Sequence, residues 1–267
     1  MNIFKHEFNA KFRSVITWSL SIAVLIFVFL AMFQTFAADA ALVNKLIASF
    51  PPELLTAFGM TNMDWSTILG FFGLVFVFVQ LCLAIQAANY GFALVSVEEA
   101  EWTADFLLSK PVTRVSIMTS KFLAAIAALV VTNAVIWAAS LASLNIFRQG
   151  QTYELKTVVL MLLSMIFFQL YFLGVGVFTS LLVKRVRNVI PFSMGLVFGL
   201  YILNAFSDMV GEKSLEILSP FEHFAASYII KHAAWDIPMV LISVVIIFLS
   251  VLGSYILYAR RNIASAV

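Results

Sequence analysis

A chain of 267 residues that is 63% hydrophobic and only 11% charged lies far from the roughly 45–50% apolar and 25% charged usage of soluble domains. Its net charge is +2, and the basic residues come in twos and threes, so no cationic face exists that would neutralise a run of phosphates and nucleic acid does not fit as a partner. The single cysteine, Cys82, sits in an apolar run, which leaves no intramolecular disulfide and makes it a packing residue.

A helix needs about 20 apolar residues to cross a hydrocarbon core about 30 Å thick. Before the first such stretch, residues 1–14 place Phe4, Phe8 and Phe12, followed by Val15, at helical spacing, with Lys5, Glu7, Lys11 and Arg13 on the other faces. That stripe predicts an interfacial helix along the inner membrane surface, its bases near anionic headgroups. A plain extension of the first span is the alternative. The first span covers 15–37 and is too long, and followed by too many others, to be a cleaved signal peptide. The first outer loop, Asp39 to Asp64, carries Leu42, Leu46 and Ile47 before Pro51-Pro52 and Leu54, Leu55 and Phe58 after it. Two short helices broken by the prolines are expected there.

The second span, 66–95, leads into a loop over 96–116 that crowds Glu98, Glu99, Glu101 and Asp105 together. Glu98, Glu101 and Asp105 are three and four residues apart and share one face of a helix. Trp102 and Phe106 form an aromatic pair beside that face, Pro111 stops the helix, and Arg114 and Lys121 open the next span. A short helix with acidic and aromatic faces, held at the membrane surface, suits docking on a soluble partner. A solvated, charged turn is the plainer alternative.

Four more spans follow, at 117–144, 157–183, 189–207 and 237–259. Gly174, Gly176 and the pair Gly195 and Gly199 allow close approach of neighbouring helices, either within the bundle or at a subunit interface. The last outer loop, Asp208 to Asp236, mixes charges with Leu215, Ile217, Leu218, Pro220, Phe221 and Phe224, and is expected to dip back toward the bilayer. No repeat or linker divides the chain, so 1–267 reads as one all-α transmembrane domain with six spans.

With six spans the basic residues fall alternately on two sides. Eleven of the 16 lie on the side of both termini, Lys45, Arg148, Lys156, Lys213 and Lys231 on the other. The positive-inside rule makes the richer side, and therefore the N- and C-termini, cytoplasmic. This is the topology of a multi-pass protein of a plasma or bacterial inner membrane.

His6, His223 and His232 fall in loops and join no other ligand at metal spacing. No Gly-x-x-x-x-Gly-Lys-(Ser/Thr) phosphate loop, Gly-x-Ser-x-Gly string or His-Glu-x-x-His string occurs, so neither a catalytic residue nor a metal site is proposed. Span centres carry no charge of the kind that marks an ion path. Their polar residues include Gln34, Gln80, Gln86, Asn89, Asn133, Gln169 and Asn204, expected mainly to bond between helices. Gln80, Gln86, Asn89, Asn133 and Gln169 are the candidates for facing a transport path, and a lining rich in Phe and Met favours an apolar or amphipathic cargo.

The string Glu99-Ala100-Glu101-Trp102-Thr103-Ala104-Asp105-Phe106-Leu107-Leu108-Ser109-Lys110-Pro111-Val112-Thr113-Arg114 resembles the signature of ABC-2 type transporter permeases. In that family an acidic stretch and a Thr precede Leu-Leu-Ser-x-Pro-Val-(Ser/Thr)-Arg, with a Lys a few residues on, matched by Lys121. Phe50 to Gly59 and Leu218-Ser219-Pro220-Phe221 are further echoes. Trp102 departs from the family, which usually carries Gly before the Thr.

The resemblance implies an exporter built from two membrane subunits and two separate ATPase subunits. The first cytoplasmic loop becomes the coupling helix that enters a groove on the ATPase, with Glu98, Glu99, Glu101, Trp102, Thr103, Asp105, Phe106 and Arg114 as its contact residues. The N-terminal segment becomes the family's connecting helix. ATP and Mg then belong to the partner ATPase, this chain holds no cofactor, and its other partners are a second permease, identical or homologous, and membrane lipid. Two other functions fit the composition: a scaffold or sensor subunit using the same docking loop, and a stand-alone carrier, which the uncharged span centres disfavour.

Overall fold

No glycine or proline interrupts residues 2–38, and in the computed structural model they form one helix, α1 (Asn2–Ala38), of 37 residues. The structure describes residues 2–38, 45, 49–51, 55, 64–100, 112–183, 186, 188–210 and 216–260, without the side chains of 2, 36, 38, 97–100 and 208–210. At 1.5 Å per residue α1 is about 55 Å long, well beyond the hydrocarbon thickness. The segment expected as an interfacial helix over 1–14 is, from Asn2 on, continuous with the first span. Nothing in this sequence turns the chain, and a Glu7–Lys11 pair at 2.8 Å spans one helical turn.

With α1, five further helices are long and apolar enough to cross a membrane: α2 (Ile68–Ala100), α3 (Arg114–Phe147), α4 (Leu155–Leu182), α5 (Val189–Val210) and α8 (Ile237–Arg260). Two short helices, α6 (Pro220–His223) and α7 (Ala226–His232), stand in the last outer loop. No strand occurs among the described residues. The prolines fall where helices tolerate them: Pro220 opens α6, Pro238 is the second residue of α8 and Pro191 the third of α5. First-turn N–H groups have no intrahelical acceptor, so a proline there removes nothing.

Helices α2 and α4 form the centre. Of their most apolar stretches 67% and 61% of residues are buried, against 11% for α5 and 22% for α8. Helix α1 packs chiefly on α3, α2 on α4, α8 on α4 and α5 on α2. The central crossing is close because two glycines face each other. A Cβ on Gly91 would stand 2.6 Å from the carbonyl oxygen of Leu173, and one on Gly176 would stand 3.4 Å from the Gly91 Cα. Gly195 and Gly199 face open space instead, with nothing among the described residues within 4 Å of a Cβ at either.

Between α5 and α8, the described residues 216–236 turn back into the bundle, in keeping with their apolar side chains. Phe221 stacks edge-on against Phe168 and Phe172 of α4 and Tyr201 of α5, with ring centroids 5.1, 5.8 and 5.3 Å apart. Phe168 lies in the middle of α4, so the insertion is deep. Polar groups carried down with it are matched. Ser219 donates to the Leu200 carbonyl at 3.2 Å, Gln80 to that of Phe224 at 3.0 Å, and the Trp235 indole N–H to that of Leu160 at 3.0 Å, as burial away from water requires.

The candidate coupling region and membrane polar layer

The two functional regions expected from the sequence lie at different levels of the bundle. Glu98 and Glu99 belong to the last turn of α2, and their side chains are not described. Glu101, Trp102, Thr103, Asp105 and Phe106 lie outside the described residues, and with them the expected coupling helix. Most of the first outer loop, with its two expected short helices, lies outside them too. At the end of that loop, Thr113 caps α3 by accepting from the Ser116 N–H at 3.2 Å, the usual service of a threonine at this place.

Arg114, the first residue of α3, reaches the C-terminal end of α8. One guanidinium nitrogen lies 3.2 Å from the Tyr258 carbonyl and 3.5 Å from that of Ala259. Carbonyls toward the C-terminal part of a helix carry partial negative charge, so a cation is favoured there. Two turns further along α3, Lys121 is 2% exposed and pairs with Glu7 of α1 at 2.8 Å. The sequence placed Lys121 at the start of the third span and in the family string, and gave Glu7 no partner. The signal available was one acid among three bases, Lys5, Lys11 and Arg13, at the mouth of an apolar span.

Deeper in the bundle, Gln86 of α2 donates to Thr132 of α3 at 2.9 Å and to Tyr90 at 3.3 Å. The Tyr90 hydroxyl donates to Ser14 of α1 at 3.2 Å. Asn133 donates to the side-chain oxygen of Gln169 on α4, and Gln169 reaches back to Gln86 at 3.5 Å. Four spans are thus joined by one buried polar layer. In an apolar surrounding each amide that finds a partner avoids a desolvation cost. The chain of bonds includes three of the five candidate path residues. Gln80 holds the Phe224 carbonyl instead, and Asn89 is half-buried. The side-chain oxygens of Asn89 and Asn133 have no hydrogen-bond partner among the described residues. Thr132, Tyr90 and Ser14 were not singled out from the sequence, although Tyr90 stands one helical turn from Gln86.

An apolar groove of about 190 Å³ opens between α3, α4 and α8, lined by Phe122, Leu123, Ile126, Leu173, Gly174 and Val251 among others. A hydroxyl pair, Thr119 and Tyr255 at 2.9 Å, marks one end of it. None of the five candidate path residues lines this groove. Among the described residues no cluster of metal-ligating side chains is present.

Among the described residues, six helices are long and apolar enough to cross a membrane, and an uncharged polar layer joins four of them. A family profile described as ABC-2 family transporter protein matches residues 1–263. The chain belongs to that family. Comparison with curated proteins finds no match. The ABC-2 permease is a membrane subunit of a class that carries no ATPase site itself, and ABC transporters as a class work with an ATPase partner.

Proposed function

We propose that this permease is the membrane half of an ATP-driven exporter, that its loop over Glu98 to Arg114 docks on a separate ATPase subunit, and that its cargo is hydrophobic or amphipathic. The family match over nearly the whole chain carries this reading. The acidic and aromatic string of the loop supports the docking role, and the tether from Arg114 to the end of α8 supplies a route by which loop motion reaches the spans.

Gln80, Gln86, Asn89, Asn133 and Gln169 are proposed to receive the cargo's polar groups when the bundle opens. Amide-to-amide bonds exchange for amide-to-cargo bonds at little cost, and the unpartnered oxygens of Asn89 and Asn133 support such an exchange. A second permease completes the path, and both termini face the ATPase side.

The test is whether an adjacent reading frame encodes an ATPase, and coexpression with that chain. Copurification at two permease chains per complex, with ATP-dependent uptake of lipophilic dyes into inverted vesicles, supports the proposal. Failure of any ATPase to copurify with the intact permease favours the scaffold function instead. An impermeant thiol reagent reaching cysteines near Asn2 or Ala264 from outside, in a Cys82→Ala background, would overturn the orientation.

A further inference from the structure

We infer that Glu7 is a positioning residue whose ion pair with Lys121 fixes the register of α3 on α1, and through it the place of the loop that enters α3. The inference rests on the coupling role proposed above for that loop. The two helices run together over most of their length, and the buried residues of α1 recur every three or four positions: Val15, Ser19, Ile22, Ile26, Leu30 and Phe33. Such a seam is held by apolar contact, which is non-directional, and a slip of one turn buries equivalent groups again. A point charge that must meet its partner distinguishes one register from the next, the best-attested use of buried polar groups between helices.

Lys121 meets that requirement. It is 2% exposed, on the face of α3 turned to α1, and Glu7 is 2.8 Å away. Glu7 gives one carboxylate oxygen to Lys121 and the other to Lys11, both at 2.8 Å. The bond between helices therefore does not compete with the bond within α1. Because Arg114 binds the end of α8 from the same part of α3, the first turns of α3 are tied at once to α1 and to α8. A displacement of α3 at the loop is then shared with both.

The two lysines provide a matched comparison, since each neutralises the same carboxylate but only Lys121 joins two helices. Nitroxides on the exposed positions Ala10 and Val135, in a Cys82→Ala permease in phosphatidylethanolamine and phosphatidylglycerol vesicles, report the register as a distance distribution. Lys121→Met should shift or broaden that distribution, while Lys11→Met and the conservative Glu7→Asp leave it as in the parent. In the complex, Lys121→Met should lower permease-dependent stimulation of ATP hydrolysis at least about fivefold, the low end of coupling between sites, with the ATPase still bound, and Lys11→Met should not. Equal distributions for the two lysine variants and the parent would overturn the inference. So would a shifted distribution with unchanged stimulation. If no ATPase binds the parent permease, the coupling function fails, and the distance measurement still decides what Glu7 and Lys121 do.

Discussion

His223 of α6 lies 2.6 Å from the hydroxyl of Ser243 on α8 and 3.1 Å from the carbonyl of Ile217, so one imidazole ties the inserted outer loop to the last span. A carbonyl can only accept, which makes the ring nitrogen facing Ile217 the N–H donor and leaves the other to accept from Ser243. Burial is the main influence on this ring and holds its pKa below the ordinary 6.5, against smaller upward pulls from the Ile217 and Glu216 backbone and the Asp236 carboxylate.

The sign of the pH effect follows. Below about pH 6.5 the unfolded chain takes up a proton at this position while the folded chain does not until the pH is lower still, so stability falls as the solution is acidified through that window. Thermal unfolding in detergent, followed from pH 7.5 down to pH 5.5, should show a falling midpoint. His223→Gln keeps a donor and an acceptor but cannot titrate, and its midpoint should fall less over the same range. Parallel slopes for the two proteins would show that the ring carries none of the dependence.

The central crossing makes a second prediction. Gly91→Ala places a methyl group against the backbone of α4, 2.6 Å from the Leu173 oxygen, and backbone cannot yield as a flexible side chain does. The helices must separate, at a cost of about 1–3 kcal/mol. Gly195→Ala and Gly199→Ala meet nothing within 4 Å and should leave the unfolding of the single chain unchanged. Equal losses at all three positions would contradict the packing described.

How far the sequence reaches is visible in these same residues. Span number follows from hydropathy alone, because the bilayer sets one length for every crossing. The dip of the last outer loop was legible in Pro220, Phe221 and Phe224, which have no reason to stand in water. Which glycines meet was not: Gly176 was flagged, but its partner Gly91 is 85 residues away in sequence, and pairing across such a separation depends on helix order and rotation. The interfacial helix over 1–14 was read from the aromatic stripe of Phe4, Phe8 and Phe12 and the charges beside it, whereas a helix ends only where a backbone signal ends it. The ion pair of Glu7 with Lys121 was hidden for the same reason as the glycine pair. Each partner taken alone resembles an ordinary charge beside a membrane.

The polar layer gives a third prediction. Removing Asn133 leaves the Gln169 side-chain oxygen without this donor, and removing Gln169 leaves one N–H of Asn133 unmet while the amide keeps its bond to the Leu129 carbonyl at 2.9 Å; an unmet amide group in an apolar interior costs about 1–3 kcal/mol. Interhelical bonds in membranes, counted on their own, contribute about 0.6 kcal/mol on average. Asn133→Leu or Gln169→Leu alone should therefore destabilise the fold more than the bond itself is worth. The double variant should lose less than the sum of the singles, since it strands no partner from this pair. Reversible unfolding in mixed micelles measures all three, and strict additivity would mean that the two amides act independently.

The loop from Glu98 to Arg114 carries the last prediction. If it docks on the ATPase, its aromatic residues are the anchors, because truncating a large side chain at the centre of an interface often costs about 2 kcal/mol or more, which is about thirtyfold in affinity. Trp102→Ala combined with Phe106→Ala should release the ATPase from the purified permease. Single changes at Glu98, Glu101 or Asp105 should weaken the complex much less and act mainly on association rate and salt dependence, as charges at an interface rim do. Arg114 is different in kind, since it binds the carbonyls at the end of α8 within this chain. Arg114→Ala should keep the ATPase bound and lose its stimulation, because docking survives while the tether to the last span is cut. The measurement is bound ATPase and stimulated ATP hydrolysis for the parent, the double aromatic variant and Arg114→Ala at matched membrane expression. A double aromatic variant that retains both would remove this loop as the coupling element, and a loss of binding in Arg114→Ala would mean that its guanidinium faces the ATPase rather than α8.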